Sequence, residues 1–300
     1  MKFPFRTSKT LVCSFALLLP GASLLAQQPA TPNHNLQLEE SEQSVRGLAK
    51  QFAEILASTP LESQLGARCG ANCSAVTDSH TGLTVAQELD RIEAGKLARM
   101  SRIGAEIQHS ANQYVMQSVN TRDENLDRNA LIEALSHILS VATDQPPSIF
   151  VLASGQSRSL LIFDNIQNGT MGGDSSYATL TAFNVDGQKL TESDSTGGDM
   201  DGYGRIDVKE LPSPVQGEIW LLFSGYMTGA NGPNCRMRVF AYDGKKFRTV
   251  WAPANIWGSF KTQVTRDGFV VRGDYYQSLR QRVDRYQLAA DGLYLAPWEK

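Results

Sequence analysis

Apolar positions recur at two different periods along this 300-residue chain, and the change falls near its middle. Up to Pro147 the spacing is helical. Leu48, Phe52, Ile55 and Leu56 recur every three or four residues, and Pro60 ends the run, which predicts a helix over residues 36–58. The longest periodic stretch follows. Val85, Leu89, Ile92, Leu97, Met100, Ile103, Ile107, Ala111, Tyr114 and Val115 mark one stripe, with Thr84 placed to cap its start. After a polar turn at 120–125, a further helix carries Leu126, Leu131, Ile132, Leu135, Ile138 and Leu139. The short turn predicts that these last two helices form an antiparallel hairpin. The length of the stripe also admits self-association through the helices as a coiled coil.

Beyond Pro147 the period drops to two. Segments 148–153, 160–163, 177–184, 218–223, 237–242, 247–251, 283–288 and 293–295 are apolar, alternating or β-branched. Asp186-Gly187, Asp243-Gly244, Asp267-Gly268 and Asp291-Gly292 each sit between two such runs. Asp-Gly there is a hairpin signal, because tight turns need residues that tolerate positive φ. The expected fold class is α+β: a helical hairpin region over 36–145, then an antiparallel β-meander domain over 146–300 of roughly ten strands. The meander is compatible with a propeller-like fragment, a sandwich or a barrel. No helical pattern separates the strands, which argues against a doubly wound parallel sheet.

The first residues modify this picture. Lys2, Arg6 and Lys9 precede an apolar run over 11–19, then Pro20, Gly21 and a small residue at Ala26. Charge, short apolar run and small residue in that order predict a signal peptide over 1–26, and so a secreted or periplasmic protein. The run is shorter than the roughly 20 residues a spanning helix needs, and no later segment is apolar enough to span. Residues 27–35 are polar and contain Pro29 and Pro32, so they are expected to form a disordered leader. Removing Lys2, Arg6 and Lys9 takes Lys+Arg from 28 to 25 against 31 Asp+Glu, a net of about −6. That balance argues against a sequence-independent nucleic-acid binder, which needs a positive footprint.

One stretch carries ligand chemistry. Residues 199–210 read Asp-Met-Asp-Gly-Tyr-Gly-Arg-Ile-Asp-Val-Lys-Glu. Oxygen donors at alternating positions with a glycine at the bend are how a short loop wraps calcium. Asp199, Asp201, the Arg205 backbone carbonyl, Asp207 and Glu210 fall at the positions such a loop uses. The stretch resembles the calcium loop of FG-GAP or VCBS repeats of β-propellers in Asp199, Asp201, Gly202, Gly204 and Asp207. It resembles an EF-hand loop less well, since Pro212 and Pro214 prevent an exiting helix. The resemblance implies a calcium site between strands. Tyr203 departs from both patterns, placing a phenol where another oxygen ligand is usual, so a calcium site here has one carboxylate fewer.

Of the cysteines left after the leader, Cys69 and Cys73 are close enough in sequence for a local disulfide in an oxidising compartment, which leaves Cys235 over. No Gly-x-Ser-x-Gly, His-Glu-x-x-His or phosphate-binding glycine loop is present. Tyr226, Trp251, Trp257, Tyr275 and Tyr276 cluster in and near β segments, as a core or as a face for a carbohydrate or protein partner. The sequence therefore favours a non-catalytic binding or assembly module. The alternative is a secreted hydrolase using carboxylates on β-domain loops, for which Asp164 and Glu218 are conceivable acids.

Overall fold

A computed structural model describes residues 32–57, 77, 81–119, 127–154, 157–166, 176–186, 189–201, 203–229, 232–254, 256–275 and 281–296. Among them are three helices followed by twelve strands, the α+β order expected. Residues 1–31, with the proposed signal peptide, and Cys69 and Cys73 lie outside the described residues.

Helix α1 is Pro32–Ala57, α2 is Val85–Ser118 and α3 is Arg128–Leu139. α1 begins inside the segment expected to be a leader. Proline is tolerated in a first turn, where its missing N–H has no partner to lose. Thr84 caps α2 as expected. Its hydroxyl accepts the Gln87 N–H at 3.2 Å, and the Gln87 side-chain oxygen accepts the Thr84 N–H at 3.0 Å. Asp127 caps α3 through the Ala130 N–H at 3.0 Å. The pairing of helices differs from the expected hairpin. α2 lies chiefly against α1, while α3 packs on α1 and on the first strand. Ser41 meets Gln117 and Ser44 meets Ser110, so α1 runs antiparallel to α2. Val45, Ala49, Phe52 and Ile55 form the buried stripe of α1 that makes this pairing possible, a match that sequence order alone does not reveal.

The strands form three antiparallel four-stranded meanders in sequence order, none closed into a barrel. Sheet 1 is β1 (Ser148–Ser154), β2 (Ser157–Ile166), β3 (Tyr177–Asp186) and β4 (Lys189–Ser195). Sheet 2 is β5 (Ile206–Leu211), β6 (Ile219–Gly229), β7 (Gly232–Tyr242) and β8 (Phe247–Trp251). Sheet 3 is β9 (Ile256–Val264), β10 (Gly268–Tyr275), β11 (Gln281–Ala289) and β12 (Gly292–Leu295). Four antiparallel strands are also the make-up of a propeller blade. The start of β9 pairs with β7 at Asn234 and Cys235, which joins sheets 2 and 3 into one eight-stranded sheet, with β8 beside β7 off the main path.

Alternation of side chains decides how the layers stack. In β2, Leu160, Ile162 and Ile166 face the helices together with Phe183 and Leu190. Leu161 and Phe163 face the other way, with Leu180 and Ala182, onto Ile219, Leu221, Phe223 and Phe240 of sheet 2. The T-shaped contacts Phe163–Phe223 and Phe223–Phe240, at 5.2 and 5.3 Å, lie in this layer. The opposite face of sheet 2 turns Trp220, Leu222, Met237 and Val239 onto Phe260, Phe269 and Val271 of sheet 3. The order is therefore helices, sheet 1, sheet 2, sheet 3. Strands buried on both faces carry continuous apolar runs, which is why 160–163 and 219–223 read without alternation. One glycine fixes the helix layer. A Cβ on Gly104 would lie 2.8 Å from the Tyr177 ring, so only glycine lets α2 come down on β3.

Candidate functional site

Two regions carry the polar chemistry. The first is the acidic stretch 199–210. It begins as a turn, with the Asp201 N–H donating to the Gly198 carbonyl at 3.0 Å. From Ile206 it becomes β5, paired in register with β6. Its three aspartates take protein partners. Asp199 receives Arg238 Nε at 3.0 Å. One Asp201 oxygen accepts the Ala178 N–H at 2.7 Å, tying the turn to the start of β3. Burial raises the Asp201 carboxyl above the usual carboxylate range, with the Ala178 N–H and the Arg236 guanidinium pulling the other way. Asp207 pairs with Lys209 Nζ at 2.7 Å, and the same ammonium donates to the Thr262 carbonyl of β9 at 2.7 Å. Arg205 and Glu210 are exposed.

Asp207 and Glu210 both lie in β5, three residues apart, so they project from opposite faces of the strand. A single ion cannot take both carboxylates while β5 stays paired to β6. A calcium ion held by the remaining donors would have to displace Arg238 from Asp199 and Lys209 from Asp207. Among the described residues, no three His, Cys, Asp or Glu side chains converge in a way that suits a metal ion. Tyr203, the departure from the calcium pattern, has a packing role. It is 4% exposed within the core between sheets 1 and 2, its carbonyl accepts the Ser176 hydroxyl at 2.9 Å, and Arg236 stacks 4.3 Å above its ring.

The two acids conceivable for hydrolysis are not brought together. Asp164 is on the helix-facing side of sheet 1, by alternation with Ile162 and Ile166, and is 5% exposed. Burial without a compensating charge pushes its carboxyl up to about 7, and its Oδ1 has no hydrogen-bond partner among the described residues. Glu218 instead precedes β6 and accepts Trp220 Nε1 at 2.8 Å and Arg248 at 2.7 Å. Cys235 is a free thiol buried between sheets 2 and 3, and burial pushes its pKa up to about 12, which disfavours the reactive thiolate. Tyr226 and Trp251, offered as partner-binding aromatics, pack against that same core. The side chains of Trp257, Tyr275 and Tyr276 lie outside the described residues.

The second region is the outer face of sheet 3, turned away from sheet 2. The register lays it out in rows. Lys261, Arg272 and Val283 stand opposite one another across β9, β10 and β11. Gln263, Val270 and Arg285 form the next row, and Gly268, Gln287 and Tyr294 the row after it. Lys261, Gln263, Arg272, Arg285 and Gln287 are exposed, and Tyr294 is 51% exposed. The described side chains in these three rows include no acid. Asp267 and Asp291 are confined to the hairpin turns at one end, where they accept Gln287 Nε2 at 3.4 Å and the Tyr294 hydroxyl at 2.8 Å. Sequence reasoning missed this face. Its three cations are separated in sequence over the lengths of two hairpins, and only strand register unites them.

No protein-family model and no curated protein matches this chain. A solved structure described as a BT0996 RGII complex is similar at 12% identity, over 50% of the present sequence and 56% of the other, with a TM-score of 0.28. At that level the likeness carries no argument about fold or ligand. No helix among the described residues is long and apolar enough to cross a membrane.

Proposed function

We propose that this protein is a non-catalytic binding module of the secreted or periplasmic space, which engages a protein or carbohydrate partner through the outer face of sheet 3. The observation that supports this reading is the exposure there of Lys261, Arg272 and Arg285 with Gln263, Gln287 and Tyr294. Long polar side chains standing on a rigid sheet offer directional donors at fixed spacing, which is what recognition of an extended surface needs. The hydrolase alternative receives less support, because Asp164 is sealed under the helices and Glu218 is occupied by Trp220 and Arg248.

The test compares the full-length protein with an Arg272→Glu/Arg285→Glu double variant, both immobilised and exposed to envelope extract and culture supernatant. A partner retained by the parent and released by the variant is the expected result. Equal retention by both, or no retention by either, contradicts the reading.

A further inference from the structure

The geometry points to an acidic polysaccharide as the ligand of the outer face of sheet 3, its carboxylates held by Lys261, Arg272 and Arg285. This deepens the binding reading above and rests on it. Lys261 and Arg272 are directly opposite in the β9–β10 register. Arg285 stands opposite Val270, one step along the face from Arg272, so it is the diagonal neighbour of Arg272, with Lys261 on the strand beyond. Directly opposed side chains on one sheet face are about 5 Å apart and diagonal ones about 7–8 Å. Like charges at such spacing repel and cost stability. Each of the three lacks an ion pair among the described residues, in a protein with 31 Asp+Glu against 28 Lys+Arg. Several other cations of the β domain do meet an acid: Arg238 has Asp199, Lys209 has Asp207, Arg248 has Glu218 and Arg282 has Asp284. Like charges set beside one another by register, with no ion pair among the described residues to offset them, mark a surface held for something other than stability.

The face fits one class of anion better than the others. A carboxylated polysaccharide presents single charges separated by a sugar or two, which suits three separate cations. Guanidinium groups take carboxylates in a two-pronged geometry. The neighbouring Gln263 amide and the Tyr294 ring supply what sugar hydroxyls and sugar faces need. A nucleic acid calls for a broader positive footprint than three side chains on a net-negative protein. An anionic membrane surface is read by clusters of about 4–8 basic residues, which this face does not supply.

The experiment is calorimetric titration of the full-length protein at low salt with polygalacturonate, neutral dextran, double-stranded DNA and phosphatidylserine vesicles. Polygalacturonate is expected to bind. Arg272→Gln and Arg285→Gln should each weaken it about tenfold, the scale of one charge-assisted contact, and added salt should weaken it further. Melting temperatures verify folding, and Lys261→Gln replaces either variant if its transition is lost. If polygalacturonate does not bind, or if another probe binds in its place and is lost in the variants, the ligand class is wrong while the face can still be the site. If polygalacturonate binds equally to the parent and to all three variants, the face is not the site, and the binding reading falls with it.

Discussion

Sheet 1 turns Ile149, Leu160, Ile162 and Phe183 toward three helices, whereas sheet 3 turns Lys261, Arg272 and Arg285 toward solvent. A β-sheet has two faces, and each end of a stack must be finished. Where the terminal face is apolar, leaving it in water would forfeit about 25 cal/mol per Å² of burial, so a cover is required. The helices supply it through the stripes of α1 and α2. Where the terminal face is polar, no cover is needed. Polarity alone, however, would be met by mixed charges, which attract. Three cations with no acid among the described side chains beside them is the arrangement that stability disfavours. The comparison thus separates an end built for folding from an end that carries a cost in the isolated protein.

The largest expected effect lies at the covered end. Ile162→Ala should destabilise by about 2–5 kcal/mol, the range for emptying a packed aliphatic site. Val283→Ala on the bare face should cost less than about 1 kcal/mol, because that half-buried valine is in part already in water. Urea unfolding of both variants measures the ratio. Equal losses would mean that the bare face is covered after all.

Asp164 gives the covered end a pH signature. Its carboxyl ordinarily titrates near 3.8 and is pushed up to about 7 in the fold. Between those values the folded state holds a proton that the unfolded state has released. Its contribution is therefore fully present below about pH 4 and is lost as pH rises through about 7. The ceiling on that loss is about 4 kcal/mol for a shift of this size. Asp164→Asn cannot ionise. It should flatten this part of the pH profile and gain about 1–3 kcal/mol over the parent at pH 8, where the parent carboxyl is charged. Chemical unfolding at pH 5 and pH 8 is the check, and identical pH slopes for both proteins would refute the assignment.

Smaller effects fall in the stretch between the ends. Asp201→Ala removes the acceptor of the Ala178 N–H and should cost about 1–2 kcal/mol in urea unfolding. No loss would mean that water satisfies that donor. Arg238→Ala frees Asp199 from its ion pair. If residues 199–210 take calcium, as their resemblance to propeller loops suggests, calorimetry at millimolar calcium should show tighter binding in this variant than in the parent. Equal affinity would show that Arg238 does not compete with the ion.

Much of the fold is legible in the sequence. Thr84, the stripe of α2 and the switch to period two after Pro147 announce the helices and the meander. The Asp-Gly pairs at 243, 267 and 291 fall between consecutive strands, and Gly244 adopts the expected positive φ of 91°. What stays hidden has physical reasons. The pairing of α1 with α2 depends on complementary stripes, not on which helix follows next. β4 is nearly all polar because one face lies at an exposed edge, so Lys189–Ser195 carries almost no strand signal. β5 is obscured by its acids, since Asp207 and Glu210 suit a calcium loop in sequence but stand on opposite faces of a strand. The cationic face is invisible for the same kind of reason. Lys261, Arg272 and Arg285 become neighbours only through the register of β9, β10 and β11.

The smallest change in stability is also the most telling. Lys261→Glu places an acid directly opposite Arg272 and replaces a repulsive pair with an attractive one, which should stabilise the isolated protein by a few tenths of a kcal/mol. The same substitution removes a cation from the proposed ligand. Thermal melting of parent and variant, each with and without polygalacturonate at low salt, tests both consequences at once. The expected result is a crossover: the variant melts higher alone, and the parent melts higher with the polymer, since a ligand stabilises the state that binds it. A variant that gains as much from the polymer as the parent does would contradict a binding role for this face.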